Sequence, residues 1–389
     1  MSIINAFQIV GCVMTELNPG AMALLATKIY IPPLQGTMVR RTRLLRLLEL
    51  GQQRRLTLVA AGAGFGKTTL LSEWAAIAPQ PVAWVALDAG DNDVGRFLAY
   101  CITAWQTLDP RLGITTLALL RSPQPPATEA LLTMLANELV AAQPAPLTLV
   151  LDDYSAITAP AVHEAMVWLL DHLPPALRFI IATRADPPLP LGRWRARGQL
   201  AEIRADDLRF TPGEAATFLV EMMGLPLTEA DIVALEARTE GWIAGLHLAA
   251  LSAQGRDDLA GFVAAFTGSH RYVLDYLAEE VLGRLDGATE QFLLHTSILT
   301  SLCGPLCDAV LAEADAPGAS SSQAMLEYLE RAHLFVVPLD DERRWFRYHH
   351  LFGEVLRERL LNFMKNSLVL VGRTGRNWSS CWSPRSHGW

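Results

Sequence analysis

The sequence predicts an α/β domain built on a parallel sheet, followed by a helical domain and a winged-helix domain. Three observations carry this. Continuous apolar runs alternate with helical periods between residues 56 and 183. A turn rich in glycine, "AGAGFGKTT" (61–69), stands between the first apolar run and the helix after it. Beyond residue 206, helical periods follow one another around a single brief extended run.

The first helix is "TRLLRLLELG", where apolar residues recur at three and four and Gly51 closes the period. "RLTLVAA" is then a short β-branched run that stops at small residues, and "KTTLLSEWAAIA" restarts a helix. "PVAWVALD" reads as a strand, "VGRFLAYCITAWQTL" and "EALLTMLANELVAA" as helices, "PLTLVLDDY" as a strand, "AVHEAMVWLLDHLP" as a helix and "LRFIIATR" as a strand. Apolar strands without polar alternation, set between helices, belong to a parallel sheet covered on both faces. Residues 27–205 are therefore expected to form one α/β domain.

"TEADIVALEARTEGWIAGLHLAALSAQ" and "SHRYVLDYLAEEVLGRL" predict a helical domain over 206–282. Over 283–362, "ATEQFLLHTSIL" and "HLFGEVLRERL" flank "LFVVPLDDERRWFRYH", a hairpin turning at Asp340 to Arg343. Helices around a small hairpin predict a winged helix. The last stretch, 363–389, has no usable periodicity and reads as an aberrant or disordered tail. Residues 1–26 read as an extension, with Met22 a candidate start.

With 32 Lys and Arg against 40 Asp and Glu, the chain as a whole is not expected to wrap a polyanion. Five cysteines, an odd number, suit a reducing compartment rather than a disulfide framework. Cys303 and Cys307 lack the further ligands of a zinc site. Neither a secretory leader nor a long apolar span is present, so no membrane association and a cytoplasmic location are expected.

The glycine turn carries the chemistry. A polyphosphate needs several backbone N–H groups pointing inward, and only residues with little side chain let the backbone curl that tightly. Gly62, Ala63, Gly64, Phe65 and Gly66 would form this nest, with Ala61 where the usual motif has its first glycine. Lys67 would reach the β and γ phosphates, and the Thr68 hydroxyl would ligate Mg²⁺. The amides of Thr68 and Thr69 would sit at the positive N-terminus of the next helix. The alternative is a turn that binds nothing, but strand, loop and helix occur in the order of a P-loop NTPase.

Such a loop calls for acidic residues at the end of a neighbouring strand, and "LTLVLDDY" supplies them. Asp152 would hold Mg²⁺ and Asp153 would orient the attacking water, although two aspartates after a strand also suit a simple turn. Arg184, after "IIAT", would read the γ phosphate if its strand neighbours the loop strand; otherwise it is a surface arginine.

At this point the chain resembles the N-terminal half of the MalT-like, large ATP-binding LuxR-type regulators, a branch of the STAND NTPases. The resemblance runs from about Leu24 to Leu361. It rests on "TKIYIPP", "AGAGFGKTTLLSEWAA", "WVALDAGDND", "LVLDDY", "IIATRADPPLPLGRWRARGQL", "TEGWIAGLHLAAL" and "YHHLFGEVLRERL" in that order. It implies a switch between an ADP-bound closed form and an ATP-bound multimer, reset by slow hydrolysis, with ATP or ADP and Mg²⁺ as cofactors. It further implies that Arg41 in "MVRRTR" lies beside the nucleotide, that Arg184 is a sensor, and that His349 or His350 meets the bound diphosphate. A core or surface histidine is the alternative for this last role. Full members continue into inducer-binding repeats and a helix-turn-helix, so no direct DNA binding is expected from this chain. A standalone P-loop ATPase or kinase and a signalling adaptor are the other functional readings.

Overall fold

A computed structural model describes residues 23–34, 38–313 and 321–374, the side chains of 313 and 366–374 aside. These residues form two compact units. The first comprises the chain to Leu34, Thr42–Ala60 and Lys67–Arg204; the second comprises residues 38–41, Ala61–Gly66 and the chain from Ala205 on.

The first unit opens with α1 (Thr42–Gly51), whose Leu44, Leu45 and Leu48 form the buried face. There follow β1 (Leu56–Ala60), α2 (Lys67–Ile77), β2 (Val82–Ala86), α3 (Val94–Gln106), α4 (Ile114–Leu120) and α5 (Thr128–Ala142). Next come β3 (Leu147–Asp152), α6 (Pro160–His172), β4 (Leu177–Thr183), α7 (Leu191–Ala196) and β5 (Leu200–Arg204). The five strands are all parallel, in the order β2-β3-β4-β1-β5. Every residue of β1 and of β3 is buried, as expected of strands covered on both faces.

The edge strand β5 escaped the sequence reading. Only Leu200 and Ile203 are buried in it, so a run of five residues carrying Glu202 and Arg204 has no continuous apolar signature. α4 escaped as well, being only seven residues long.

The segment ahead of α1 is anchored by charge. Lys28 is buried and pairs with Asp91, which is wholly inaccessible, and with Asp88 at 2.9 Å. Its ammonium lies 4.8 Å from the centre of the Tyr100 ring, and the Tyr100 hydroxyl accepts from the Leu25 N–H at 2.9 Å. Asp91 also caps its own turn by accepting from the Asp88 N–H.

The second unit contains α8 (Ala205–Leu208) and α9 (Pro212–Ala216), the latter started by a Thr211/Glu214 capping box and running into a π-helical turn, Thr217–Met222. Next comes α10 (Glu229–Thr239), capped reciprocally by Thr228 and Asp231. Between α10 and α11 (Ile243–Ala253) lie two left-handed residues, Glu240 (φ 49°) and Gly241 (φ 67°), and the extended Trp242. Position 241 admits only glycine, since a Cβ there would lie 2.6 Å from the Phe210 carbonyl oxygen.

Helices α12 (Leu259–Ala265), α13 (Arg271–Glu280), α14 (Gly287–Thr296), α15 (Gly304–Glu313) and α16 (Ser322–Arg331) follow. The antiparallel hairpin of β6 (Val336–Pro338) and β7 (Phe346–Tyr348) turns through 340–343, and α17 (His350–Thr374) closes the described chain. The sequence reading ends regular structure at 362, but the helix runs on. Beyond Gly353 no proline or glycine interrupts it before Gly372. Residues 375–389 of the expected tail, and 1–22 of the expected extension, lie outside the described residues. Among the described residues no helix is long and apolar enough to cross a membrane.

The Lys28–Asp91 pair generates a prediction. Removing one member leaves the other charged and buried, so Asp91→Ala should destabilise the fold by about 3–5 kcal/mol. Urea denaturation measures this; a loss below about 1 kcal/mol would place the pair with ordinary surface bridges.

Candidate functional site

In the first unit, the residues singled out in the sequence gather at the carboxyl ends of the strands. Lys67 opens α2 and is buried, and Thr68 follows it. The Thr68 hydroxyl donates to Asp152 Oδ2 at 2.8 Å. Asp152 ends β3, and its Oδ1 accepts from the backbone N–H of Asp153 at 3.1 Å. Asp153 is exposed and left-handed, at φ 54°. Thr69 is exposed on the first turn of α2.

The sequence reading put the acidic strand next to the loop strand. In the sheet, β4 separates β1 from β3. The contact is made nonetheless, because Thr68 on α2 spans the intervening strand. β4 itself is the neighbour of β1, with Ala60 level with Thr183, so Arg184 leaves the sheet beside the end of β1. Arg184 is half-buried.

Like charges are brought close together at this edge. Burial, reinforced by the Arg184 guanidinium, pushes the Lys67 ammonium down to about 8, while Asp153 and Asp152 pull it upward. Burial, together with the neighbouring Asp153 charge, pushes the Asp152 carboxyl up to about 6, against the bonds from Thr68 and the Asp153 N–H. Two cations thus repel each other beside two carboxylates that also repel each other. A polyphosphate would relieve the first repulsion and a divalent cation the second. One hydroxyl and one buried carboxylate are the few protein ligands that suit Mg²⁺, which retains most of its water. The donor set fits a magnesium nucleotide.

The loop residues Ala61–Gly66 belong to the second unit. Gly64 and Gly66 are left-handed, at φ 76° and 71°. A Cβ on Gly64 would meet Ala244 Cβ at 2.6 Å and the Trp242 indole nitrogen at 2.8 Å, and one on Gly62 would meet the His333 carbonyl oxygen at 2.7 Å. Ala63 and Phe65 are buried, the Phe65 ring 6.4 Å from that of Phe335. Arg41 is buried too. Its guanidinium donates to the carbonyls of Leu208 at 3.0 Å and Gly66 at 3.4 Å, and lies 5.6 Å from the Phe210 ring centre.

The two histidines of "RYHHLF" have different surroundings. His349 is buried among Trp242 and Phe335, both edge-on. Its Nε2 lies 2.9 Å from the Thr239 carbonyl oxygen and must donate to it, while Nδ1 is buried with no hydrogen-bond partner among the described residues. Burial pulls this imidazole down to about 4, against the opposing influence of Glu240. His350 is exposed, with Nδ1 2.9 Å from Glu240.

Glu240 is itself a hub that the sequence reading did not single out. Its carboxylate accepts two bonds from Arg347, at 2.7 and 2.9 Å, one from Arg209 at 3.1 Å and one from the His350 N–H at 3.1 Å. Burial opposes the charge, yet Arg347 and the His350 N–H help hold the carboxyl well below the usual carboxylate range. Trp242 was also missed. Its indole donates to the Ala63 carbonyl at 3.0 Å from a fully buried position. The only sequence signal for either residue is the "TEGW" run between two helical periods.

A glycine loop leading from a central parallel strand into a helix, carboxylates at the end of a further strand, and a C-terminal helical region with a winged hairpin define a protein of the P-loop NTPase fold class. The Walker-type ATPase of Pyrococcus abyssi has the same fold, with a TM-score of 0.56 at 15% identity, covering 83% of this chain and 99% of that one. Residues 278–367 match the MalT winged helix domain. The HTH-type transcriptional regulator MalT of Cronobacter sakazakii is 38% identical over 340 residues, and that of Klebsiella pneumoniae 37% over 338, in each case 86% of this chain and 37% of the relative. The chain is thus similar to MalT regulators over most of its own length, and spans a little over a third of the length of the curated relatives it matches.

In the ligand-free protein, the His349 imidazole should be neutral, with the proton on Nε2, and should titrate near pH 4. Its folded value lies below the ordinary 6.5, so the unfolded chain binds the extra proton first and acidification from pH 6.5 to 4 weakens the fold. Histidine-selective NMR titration checks this; titration near 6.5 would place the ring in water.

Proposed function

We propose that this chain is the ATP-binding nucleotide-switch module of a MalT-like transcriptional regulator, acting in the cytoplasm. The observation that carries the reading is the Thr68–Asp152 contact beside the buried Lys67, because it joins the phosphate-binding and magnesium-binding halves of a P-loop site. The similarity to regulators titled HTH-type transcriptional regulator MalT supports the regulatory setting.

In this reading the amides of residues 62–66 and of Thr68 and Thr69 cradle the phosphates. Lys67 neutralises the β and γ groups, Thr68 and Asp152 hold Mg²⁺, Asp153 orients water and Arg184 reads the γ phosphate. ATP with Mg²⁺ supplies a transferable phosphoryl group, and turnover is slow because a switch must dwell in each state. Arg41 supports the loop from its Gly66 end. His349 meets the diphosphate through Nδ1. Since its Nε2 proton is committed to Thr239, donation from Nδ1 requires a second proton, which a phosphate anion would favour. The switch pairs an ADP-bound closed form with an ATP-bound form that self-associates, and its parts are an NTPase domain over 27–205, a helical domain over 206–282 and a winged helix over 283–362.

Two measurements test this. Lys67→Ala should weaken ADP and ATP binding about 100-fold or more, the loss of about 3 kcal/mol expected for charged hydrogen bonds, with the fold intact by circular dichroism. Wild-type affinity in that variant, read by calorimetry, would remove the phosphate role. The enhancement of nucleotide binding by Mg²⁺ should also fade as pH falls through about 6, because Asp152 is a carboxylate only above that value. Asp152→Asn should show no enhancement at any pH.

A further inference from the structure

We infer that Trp242, with Ala244 and Arg41, aims the amides of the phosphate loop, so that phosphate affinity is set by residues outside the loop motif. The inference rests on the nucleotide-site reading above and adds positioning residues to it.

A trans peptide group is planar, so its C=O and the N–H of the next residue point in opposite directions. Fixing a carbonyl on one side therefore fixes the following N–H on the other. The Ala63 carbonyl accepts from the Trp242 indole N–H at 3.0 Å, which turns the Gly64 N–H away from Trp242. The Gly64 carbonyl accepts from the Ala244 backbone N–H at 3.1 Å, which turns the Phe65 N–H away from α11. The Gly66 carbonyl accepts from Arg41 at 3.4 Å, which turns the Lys67 N–H away from the guanidinium.

Three peptide groups are thus held by their oxygens, and the successive Gly64 and Phe65 donors are left on one side of the loop. Successive N–H groups sharing a side are what an anion nest consists of.

The arrangement is reciprocal. Trp242 is the N-cap residue of α11 and Ala244 lies in its first turn, where the backbone N–H groups have no intrahelical acceptor. The Gly64 carbonyl supplies the acceptor that the Ala244 N–H lacks within the helix. Trp242 is itself held on several sides, by the Tyr276, Phe335 and His349 rings with centroids 5.6, 5.2 and 6.0 Å away, so its indole N–H has little freedom to turn elsewhere. Van der Waals packing alone would not need the nitrogen of this side chain. The hydrogen bond does.

The test separates the nitrogen from the ring. Wild-type protein is titrated calorimetrically with inorganic pyrophosphate and with ADP. If neither binds, the nucleotide reading itself falls, and this inference with it. If both bind, Trp242→Phe is measured, together with a protein carrying 3-benzothienylalanine at position 242, which keeps the size and shape of the indole but has sulfur in place of N–H. Affinity for both ligands should drop by the same factor, about 10-fold, the typical consequence of losing one buried hydrogen bond. 5-Fluorotryptophan at 242, which keeps the N–H, should restore it. Should Trp242→Phe fail to fold, the benzothienyl protein decides alone. Unchanged pyrophosphate affinity in that protein, or a loss confined to ADP, would overturn the assignment.

Discussion

A peptide group cannot leave either of its polar atoms buried and unpaired, and a loop of small residues has no side chains with which to hide one. Residues 61–66 meet this constraint by splitting their polar atoms between two sides. Carbonyls go to Trp242, Ala244 and Arg41, and the Gly64 and Phe65 amides are turned to the opposite side. The left-handed conformations of Gly64 and Gly66, and the tight fits around Gly62 and Gly64, follow from bringing that backbone so close to its partners. Glycine is needed here for space as well as for dihedral freedom.

Two charged residues of the proposed site carry a related imbalance. Lys67 and Asp152 are both buried, and each has its ordinary ionisation opposed chiefly by the loss of water and then by a like charge next to it. A protein gains nothing in stability from such an arrangement, since replacing buried ionic groups with apolar ones is often neutral or favourable. The arrangement makes physical sense as a site preset for a ligand that carries both signs of charge, as a magnesium polyphosphate does. By contrast, the Lys28–Asp91 pair is saturated, with Asp88, Arg96 and the Tyr100 ring around it, and acts as a structural anchor.

Much of this was legible in the sequence because it is locally encoded. Strands β1 to β4 announced themselves as apolar runs, and the loop as small residues ahead of Lys67. The parts that were not legible depend on what the chain meets at a distance. Nothing local tells that β4 inserts between β1 and β3, because the order of parallel strands is decided by helices packing across the sheet. β5 lies at an edge and shows only two apolar positions. Trp242 looks like one more core aromatic until its partner, 179 residues earlier, is known. His349 and His350 are chemically identical in the sequence. Only the burial of one and the exposure of the other distinguish an open Nδ1 from a surface ion pair.

The corner between α10 and α11 also has a consequence for which residues could be exchanged there. Glycine would adopt the backbone angle of position 240 without strain, whereas glutamate at φ 49° bears the steric cost of a left-handed L-residue, roughly 1 kcal/mol. Yet glycine would withdraw the shared carboxylate from two guanidiniums and an imidazole that come from two separate stretches of chain. The residue most comfortable in this turn is thus the one it cannot use. Conformational ease and charge balance rank the candidates in opposite orders, and at this corner charge balance prevails.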